Sequence, residues 1–308
     1  MKHVSVLLEE SINALHIKEE GIYVDCTLGY AGHASAILKR LKKGKLYAFD
    51  QDIDALKASG DILSKIGSNY EIIQSNFVNL KEELLKRNVD KVDGILFDLG
   101  VSSVQIDDPL RGFSFHNDGI LDMRMDKSSK ITAKDIVNNY PYEKLYDIIK
   151  RYGEEKYANL IAKDIVAYRS KKEIVTTKEL SDIINNAVPF KYRRLKNPSR
   201  RTFQAIRIEV NNELEILPKA FNDAIDMLDV GGVIAVITFH SLEDKICKEV
   251  FLNRSKESDI AKKMPIVPEE LKPELKVLKK IKPSNKEIEN NSRAHSATLR
   301  CAIKERMK

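Results

Sequence analysis

The chain has 308 residues, of which 43% are hydrophobic and 32% charged, and its formal net charge is +6. This length allows one large or two modest domains with hydrophobic cores. No apolar run approaches the length of a membrane span, and acidic residues follow the N-terminus too closely for a signal peptide, so we predict no membrane association. The mild basicity permits a nucleic-acid partner, although a lysine-rich solvated surface would give the same charge.

The first predicted elements are a short apolar strand ending at Asp25, a turn of small residues, and a helix from Gly32 to Lys43. A second strand, Leu46–Asp50, again ends in a carboxylate. α/β proteins bind nucleoside cofactors with this order of strand, turn, helix and acid-ending strand. Small residues let the backbone approach the cofactor closely, and Asp50 is placed to accept both hydroxyls of a ribose.

The turn departs from the dinucleotide pattern G-x-G-x-x-G, since its small positions are Thr27, Gly29, Ala31 and Gly32. A nicotinamide dinucleotide needs a pyrophosphate cradle, which this turn provides poorly. S-adenosylmethionine needs the small-residue turn and the ribose acid but carries no phosphate, so the segment favours a methyl donor. A dinucleotide, or an ordinary crossover without a ligand, stays open at this point.

Two further strands follow, Tyr70–Ile73 and Gly94–Asp98, with a helix from Asn79 to Arg87 between them. Strands that alternate with helices predict a parallel sheet and an α/β fold. Polar residues close each of these strands, and ligands of open α/β sheets bind at the carboxyl ends of strands. We therefore expect these strand ends to form one ligand crevice.

The pattern changes after Asp98. A long loop, Leu99–Phe115, precedes a helical region, in which Thr132 and Thr176 are predicted helix caps. Strand and helix patterns then resume: a helical stretch Phe203–Leu228 broken near Pro218, a turn Asp229–Gly232, a strand Val233–Phe239, a helix Leu242–Asn253 and a last strand Ala297–Ile303. We predict an α/β domain formed by residues 1–105 and 201–308, interrupted by a helical insertion at 106–200 that binds the substrate.

Cysteine and histidine spacings give no sign of a metal site. The three cysteines, Cys26, Cys247 and Cys301, form no C-x-x-C pair, and ligand spacing is also absent among His3, His16, His116 and His295. We predict a protein of the reducing cytoplasm without zinc or a disulfide framework. The segment His240–Asp244 looks like a hydrolytic or metal cluster, but a helix N-cap followed by first-turn acids explains it more simply.

Several motifs, taken together, resemble one family over nearly the whole chain. They are His3–Glu10, Asp25–His33, Phe97–Ser103, Asp107–Phe115, Leu121–Asp126, Arg201–Glu213, Phe239–Asp244 and Arg293–Arg300. In this order they resemble the bacterial 16S ribosomal RNA (cytosine-N4)-methyltransferase family, RsmH or MraW. The resemblance implies a class I, Rossmann-like S-adenosylmethionine-dependent methyltransferase fold with an inserted helical domain. It also implies methylation of the exocyclic N4 of a cytidine in the decoding region of the small ribosomal subunit.

By the same resemblance, the S-adenosylmethionine site falls on Ala31, Gly32, His33, Asp50, Phe77, Asp98 and Gln105. Two motifs depart from the family pattern. The usual Gly-Arg-Gly-Gly-His is here Gly29-Tyr-Ala-Gly-His33, and the usual Ser-Ser-Pro-Gln is here Ser102-Ser-Val-Gln105. Tyr30 lacks the basic side chain usual at that position, whereas Ala31 still leaves room for the cofactor.

We predict Asp98 to be the catalytic residue, because it ends the fourth strand, between the methyl donor and the acceptor in this architecture. The alternative is that it caps the loop that follows. For RNA phosphates we predict contacts from Arg193, Arg194, Arg200 and Arg201, in the basic run 191–201. A solvated charge run is the alternative there.

The expected partner is 16S rRNA in the small subunit, and the oligomeric state is open, with a homodimer as one alternative. Two competing functions are a nicotinamide-dependent oxidoreductase and a ribosome assembly factor that keeps a vestigial cofactor fold.

Overall fold

The computed structural model describes residues 5–257, 261, 264, 267–268 and 272–307, so His3 of the first motif lies outside the described residues. The chain divides into two compact units, one formed by Met1–Gly100 with Leu214–Lys308 and the other by Val101–Glu213. The second unit thus runs beyond residue 200, because the helix that contains Phe203 and Ile206 contributes both side chains to that unit's core.

The first unit contains a sheet whose seven strands, counted over the described residues, are β1 Ile22–Asp25, β2 Lys45–Asp50, β3 Tyr70–Gln74, β4 Val92–Asp98, β5 Leu228–Thr238, β6 Leu275–Val277 and β7 Thr298–Lys304. Their spatial order is β3-β2-β1-β4-β5-β7-β6. Strands β1 to β5 pair in parallel, whereas β7 pairs antiparallel with β5 and β6 antiparallel with β7. The predicted parallel α/β sheet is confirmed, and the short strand β6 is an addition to it.

The helices in the described residues are α1 Leu8–Leu15, α2 Gly32–Leu38, α3 Ile53–Leu63, α4 Leu80–Leu85, α5 Ser103–Asp107, α6 Ala133–Asn139, α7 Tyr142–Arg151, α8 Ala158–Arg169, α9 Thr177–Ala187, α10 Phe190–Leu195, α11 Pro198–Asn211, α12 Leu217–Met227, α13 Ser241–Arg254 and α14 Asn285–Asn290. Helices α5 to α11 belong to the second unit and the others to the first. None of the helices in these described ranges is long and apolar enough to cross a membrane.

The core of the first unit lies between the sheet and its helices. Leu96 of β4 and Ile237 of β5 are fully buried, and Ile37 of α2 packs in the same apolar cluster. Central parallel strands are covered on both faces, so they are continuous apolar runs rather than alternating ones. This burial fixes the strand ends, and with them the positions of the carboxylates that close β1, β2 and β4.

Three local predictions need correction. Helix α2 ends at Leu38 rather than Lys43, because the backbone N–H groups of residues 42–44 donate to the Glu19 carbonyl at 2.8–3.1 Å instead of continuing the helix. The predicted turn Asp229–Gly232 lies inside β5 as an irregularity: Leu228 pairs with Val92 and Val233 with Gly94. The predicted loop Leu99–Phe115 contains α5 and a short 3-10 segment, Pro109–Arg111.

The second unit is helical, as predicted. Capping boxes at Thr132 and Thr176 begin α6 and α9, which confirms both predicted caps. Its apolar core gathers side chains of all its longer helices, among them Ile148 and Ile161. The ring of Phe115 packs edge-on against Phe203 at 5.7 Å, so this aromatic of the predicted loop anchors the loop to the core.

Candidate active site

Three acidic residues close three neighbouring strands of the first unit. Asp50 ends β2, Asp25 ends β1 and Asp98 ends β4, and these strands are adjacent in the order β2-β1-β4. Because the strands are parallel, their carboxyl ends lie at one edge of the sheet. The structure therefore brings Asp50 and Asp98 of the predicted site to the same edge, with Asp25 between them.

The turn after β1 adopts an unusual backbone conformation. Gly29 and Ala31 both lie in the left-handed region, with φ of +49° and +58°. Glycine adopts this region without strain, whereas for alanine it costs about 1–2 kcal/mol. The Ala31 N–H donates to the Leu28 carbonyl at 2.8 Å, and Ala31 is the N-cap of α2. The turn is thus a tight backbone arch held by its own hydrogen bonds.

Gly32 has a packing reason to be glycine. A Cβ added there would collide with Oγ of Ser5, a buried residue before α1. From the sequence we explained the small residues of this turn only by the close approach of the backbone to a cofactor. The structure adds that Gly32 also lets the N-terminal segment pack against the start of α2.

Asp50 is tied to this turn and to the next helix. Its Oδ2 accepts the Gly29 N–H at 2.8 Å, and its Oδ1 accepts the Asp52 N–H at 2.9 Å. The Gln51 N–H also acts on this carboxylate, and since an ionised carboxylate offers about four lone-pair sites, roughly one remains for another donor. Burial raises the pKa of Asp50, although the backbone N–H groups of Asp52 and Gly29 act in the opposite direction.

Asp98 is the most strongly perturbed acid at this edge. Desolvation, followed by the nearby charges of Asp25 and Glu243, raises its pKa well above the ordinary range. Its Oδ2 lies 3.5 Å from Nδ1 of the buried His33, in the first turn of α2. Its Oδ1 is buried and has no hydrogen-bond partner within the described residues. That oxygen is therefore an available acceptor. The carboxyl group of which it is part binds a proton more readily than an ordinary aspartate does.

From the sequence we assigned no individual function to Asp25, which ends a strand, or to Thr27, which lies in the turn. Asp25 is almost fully buried, which raises its pKa to about 7, and its Oδ1 accepts the Thr27 N–H at 3.0 Å. The hydroxyl of Thr27 in turn accepts the Asp98 N–H at 2.6 Å. Thr27 thus connects the ends of β1 and β4. In the sequence, Asp25 appears only as an acid at the end of an apolar strand. Its burial depends on strands that are distant in the chain, so the local pattern does not show it.

The segment after β5 is a helix cap, as predicted. His240 is the N-cap of α13, and the buried Glu243 accepts N–H bonds from Phe239 and His240 at 2.8 and 3.3 Å. Glu243 Oε1 also lies 3.1 Å from Nε2 of His240. Among the residues that the structure describes, no group of three or more His, Cys, Asp or Glu side chains could hold a metal ion.

Phe77 begins a 3-10 segment that follows β3 after Ser75 and Asn76, and its side chain is partly exposed. Its ring meets the buried ring of Phe97 edge-on at 5.5 Å, and Phe97 contacts Phe221 in the same way at 5.2 Å. The contact with Phe97 therefore holds the ring of Phe77 near the carboxyl ends of the strands. Stacking on an adenine stays a prediction.

The remaining predicted residues belong to the second unit. Gln105 is buried in the first turn of α5, where its Oε1 accepts the Ser102 N–H at 3.0 Å as part of a capping box. Arg193 and Arg194 lie exposed on α10, whereas Arg200 and Arg201 lie in the first turn of α11. Arg201 donates to the Glu154 carbonyl at 2.8 Å.

The sequence matches a known family along almost its entire length: the model of the MraW methylase family covers residues 1–305. The chain belongs to the MraW methylase family. It is accordingly an S-adenosylmethionine-dependent methylase, which confirms the predicted family and cofactor.

Solved structures show weaker similarity. An rRNA methylase from Streptococcus thermophilus is 14% identical, with 98% of each chain covered and a TM-score of 0.46. A Streptococcus mutans protein crystallised in complex with SAH is 13% identical, with 98% of this chain and 99% of the other covered and a TM-score of 0.44. A SAM-dependent O-methyltransferase from Thermotoga maritima is 10% identical, with 100% and 69% covered and a TM-score of 0.43. The assignment rests on the family match.

Two features of the strand ends suit a sulfonium nucleoside. Asp50 retains acceptor capacity for a ribose hydroxyl beyond its bonds to backbone N–H groups. The acidic residues Asp25, Asp98 and Glu243 lie close enough for Asp98 to feel the charge of the other two, and such a cluster attracts a cation. The donor set of this edge therefore fits S-adenosylmethionine.

Proposed function

We propose that this methylase transfers a methyl group to the exocyclic N4 of a cytidine in the decoding region of 16S rRNA, acting on the small subunit in the cytoplasm. The family match and the sequence motifs support the substrate class. The observation that carries the chemistry is Oδ1 of Asp98, a buried acceptor at a strand end without a partner in the described part of the chain.

The cytidine amino group needs help to react. Its nitrogen is a poor nucleophile because the lone pair is conjugated into the ring. An acceptor that binds its N–H groups favours a tetrahedral nitrogen and stabilises the positive charge that develops on it. Oδ1 of Asp98 offers such an acceptor, and assistance of this kind contributes about 10²–10⁴-fold in rate.

S-adenosylmethionine, when bound, supplies an electrophilic methyl group and leaves as S-adenosylhomocysteine. Asp50 would hold the ribose, the arch from Gly29 to His33 would contact the donor through its backbone, and Phe77 would support the adenine. The nitrogen–carbon bond forms as the sulfur–carbon bond breaks, and the nitrogen then loses one proton. The sulfonium cation, when bound, favours the ionised form of Asp98, and this carboxylate then takes up the proton, for which its raised pKa suits it once the sulfonium charge is gone.

Arginines of the second unit supply the RNA contacts in this proposal. Arg193, Arg194 and Arg200 are exposed, and Arg201 is partly exposed. No acidic side chain in the described ranges forms an ion pair with any of the four. Guanidinium groups without a carboxylate partner are suited to bidentate contacts with phosphates. Gln105, which caps α5, is a further proposed donor contact.

A methyl-transfer assay tests the proposal. Small subunits that lack the modification are incubated with the protein and a methyl-labelled donor, beside large subunits as a control. We expect label on cytidine of the small-subunit RNA only. Label on the large subunit, or none on either while a characterised methyltransferase labels its own target, would contradict the proposed substrate.

The oxidoreductase alternative makes a separate prediction. Binding calorimetry should show affinity for S-adenosylmethionine and none for NAD, because the turn after β1 offers no pyrophosphate cradle. Binding of NAD alone would favour the oxidoreductase, whereas binding of neither compound would favour an assembly factor.

A further inference from the structure

Helix α10, Phe190–Leu195, exposes two large apolar side chains on the second unit. The side chain of Phe190 is 61% exposed and that of Leu195 is 74% exposed. Scattered exposed apolar residues are common on protein surfaces, but these two flank a short helix whose other residues are cations and one tyrosine. The helix thus combines exposed apolar surface with positive charge.

The cations of this helix lack acidic partners. Lys191, Arg193, Arg194 and the following Lys196 are exposed, and over the residues that the structure describes none of them forms an ion pair. In the same unit, Arg124 pairs with Asp122 at 2.7 Å, and Arg207 pairs with Glu213 at 2.8 Å. The charge on α10 is therefore available to an anionic partner.

Two of these cations lie beside the exposed ring. The guanidinium groups of Arg193 and Arg194 are 4.9 and 5.8 Å from the centroid of Phe190. Arg193 also donates to the Asn185 carbonyl at 3.2 Å, which holds it near the end of α9. Both guanidinium groups lie over a ring that is still largely exposed, so a nucleobase can stack on the exposed part of the ring with its phosphates within reach of the same arginines.

The opposite side of α10 is anchored in the unit. The hydroxyl of Tyr192 donates to Oε1 of the fully buried Glu155 at 2.8 Å, and its ring packs against Tyr157 at 4.6 Å. Burial, and then the bond to Glu155, raises the pKa of Tyr192 to about 12, so the hydroxyl stays a donor at neutral pH. This anchoring holds the exposed face in place before a partner arrives.

We propose that α10 is a platform for an unpaired segment of the RNA, on which a base stacks against Phe190 while Arg193 and Arg194 contact the phosphates. This inference rests on the proposed function, because RNA is the substrate there. An acidic protein segment would use the cations but gain little from the exposed ring, which is why the combination favours an unpaired base.

The absence of tryptophan from the chain makes a direct probe available. Phe190→Trp introduces a single fluorophore at the platform, and Tyr146→Trp places one on the exposed face of α7 as a matched control. An unstructured RNA of about 12 nucleotides should quench the fluorescence at position 190 and leave that at position 146 unchanged. Equal quenching at both positions, or none at position 190, would overturn the platform.

Substitutions separate stacking from charge. Phe190→Ala should weaken binding of the same RNA about 5- to 150-fold without altering its salt dependence, and Phe190→Tyr should retain the affinity. Arg193→Gln and Arg194→Gln should each reduce the slope of log affinity against log salt by about 0.7. Poly-glutamate that binds as tightly as the RNA, with no effect of Phe190→Ala, would assign α10 to an acidic partner instead.

The binding measurements need no methyl donor, so they can fail independently of the proposed function. Loss of the platform with cytidine methylation intact would refute only the role of α10. RNA binding on α10 without methylation of small-subunit cytidine would refute only the proposed target.

Discussion

Replacing Asp50 with alanine removes the carboxylate that we assign to the ribose. In the structure its two oxygens already accept backbone N–H groups from Gly29 and Asp52, at 2.8 and 2.9 Å. The acceptor capacity that remains is assigned to the ribose. A hydrogen bond to a charged group contributes about 1.5–3 kcal/mol, and water compensates part of that in a variant. We expect donor affinity to fall by about 2–3 kcal/mol, roughly 30- to 150-fold.

Asp52→Ala provides the matched control. Asp52 is the N-cap of α3, where its side chain accepts the Asp54 N–H at 3.1 Å, and its own N–H still reaches Asp50 in the variant. Loss of this cap should cost about 1 kcal/mol of folding stability, similar to the loss of the backbone contacts of Asp50. Calorimetry should therefore show weak donor binding for Asp50→Ala and nearly unchanged binding for Asp52→Ala. Equal affinities in the two folded variants would refute the ribose assignment.

Three further predictions concern the acidic cluster. Asp98→Asn should lower kcat by about 10²–10⁴-fold with little change in affinity for S-adenosylhomocysteine, which lacks the sulfonium charge, measured by methyl transfer and calorimetry; an unchanged kcat would remove Asp98 from catalysis. The pKa of Asp98 is raised, and a bound sulfonium cation should favour the ionised form of this carboxyl. Because more of Asp98 is ionised at higher pH, affinity for S-adenosylmethionine should rise with pH relative to affinity for the neutral S-adenosylhomocysteine; a constant ratio of the two affinities would contradict this. Asp25 has a pKa of about 7 in the fold against 3.8 ordinarily, so the folded state binds more protons and stability should fall as pH rises from about 4 to 7. Asp25→Asn should remove up to about 4 kcal/mol of that fall in chemical denaturation, and an identical pH profile would show that Asp25 is not the group responsible.

Much of the first unit is predictable from sequence for a physical reason. Central parallel strands are buried on both faces, so β2 and β4 appear as short apolar runs closed by an acid. The same logic places Asp50 and Asp98 at one edge of the sheet. Helix caps are local as well, which is why Thr132, Thr176 and His240 are found at the predicted starts of their helices.

What escapes prediction depends on contacts between distant segments. Helix α2 ends before Lys43 because the backbone N–H groups of residues 42–44 donate hydrogen bonds to the Glu19 carbonyl instead of continuing the helix. Strand β6 has three residues and no periodicity, and it exists through pairing with β7. The raised pKa of Asp98 likewise arises from burial and from Asp25 and Glu243, which only the folded sheet brings near. Local sequence patterns carry none of this information.

In the proposed reaction the methyl group is transferred to N4 of a cytidine. Nucleoside mass spectrometry of small-subunit RNA after reaction tests this, with synthetic N4-methylcytidine, 5-methylcytidine and 2′-O-methylcytidine as standards. We expect a new peak that co-elutes with N4-methylcytidine and is lost in Asp98→Asn. A methyl group on carbon 5 or on the ribose would contradict it, because neither position presents N–H groups to the carboxylate of Asp98.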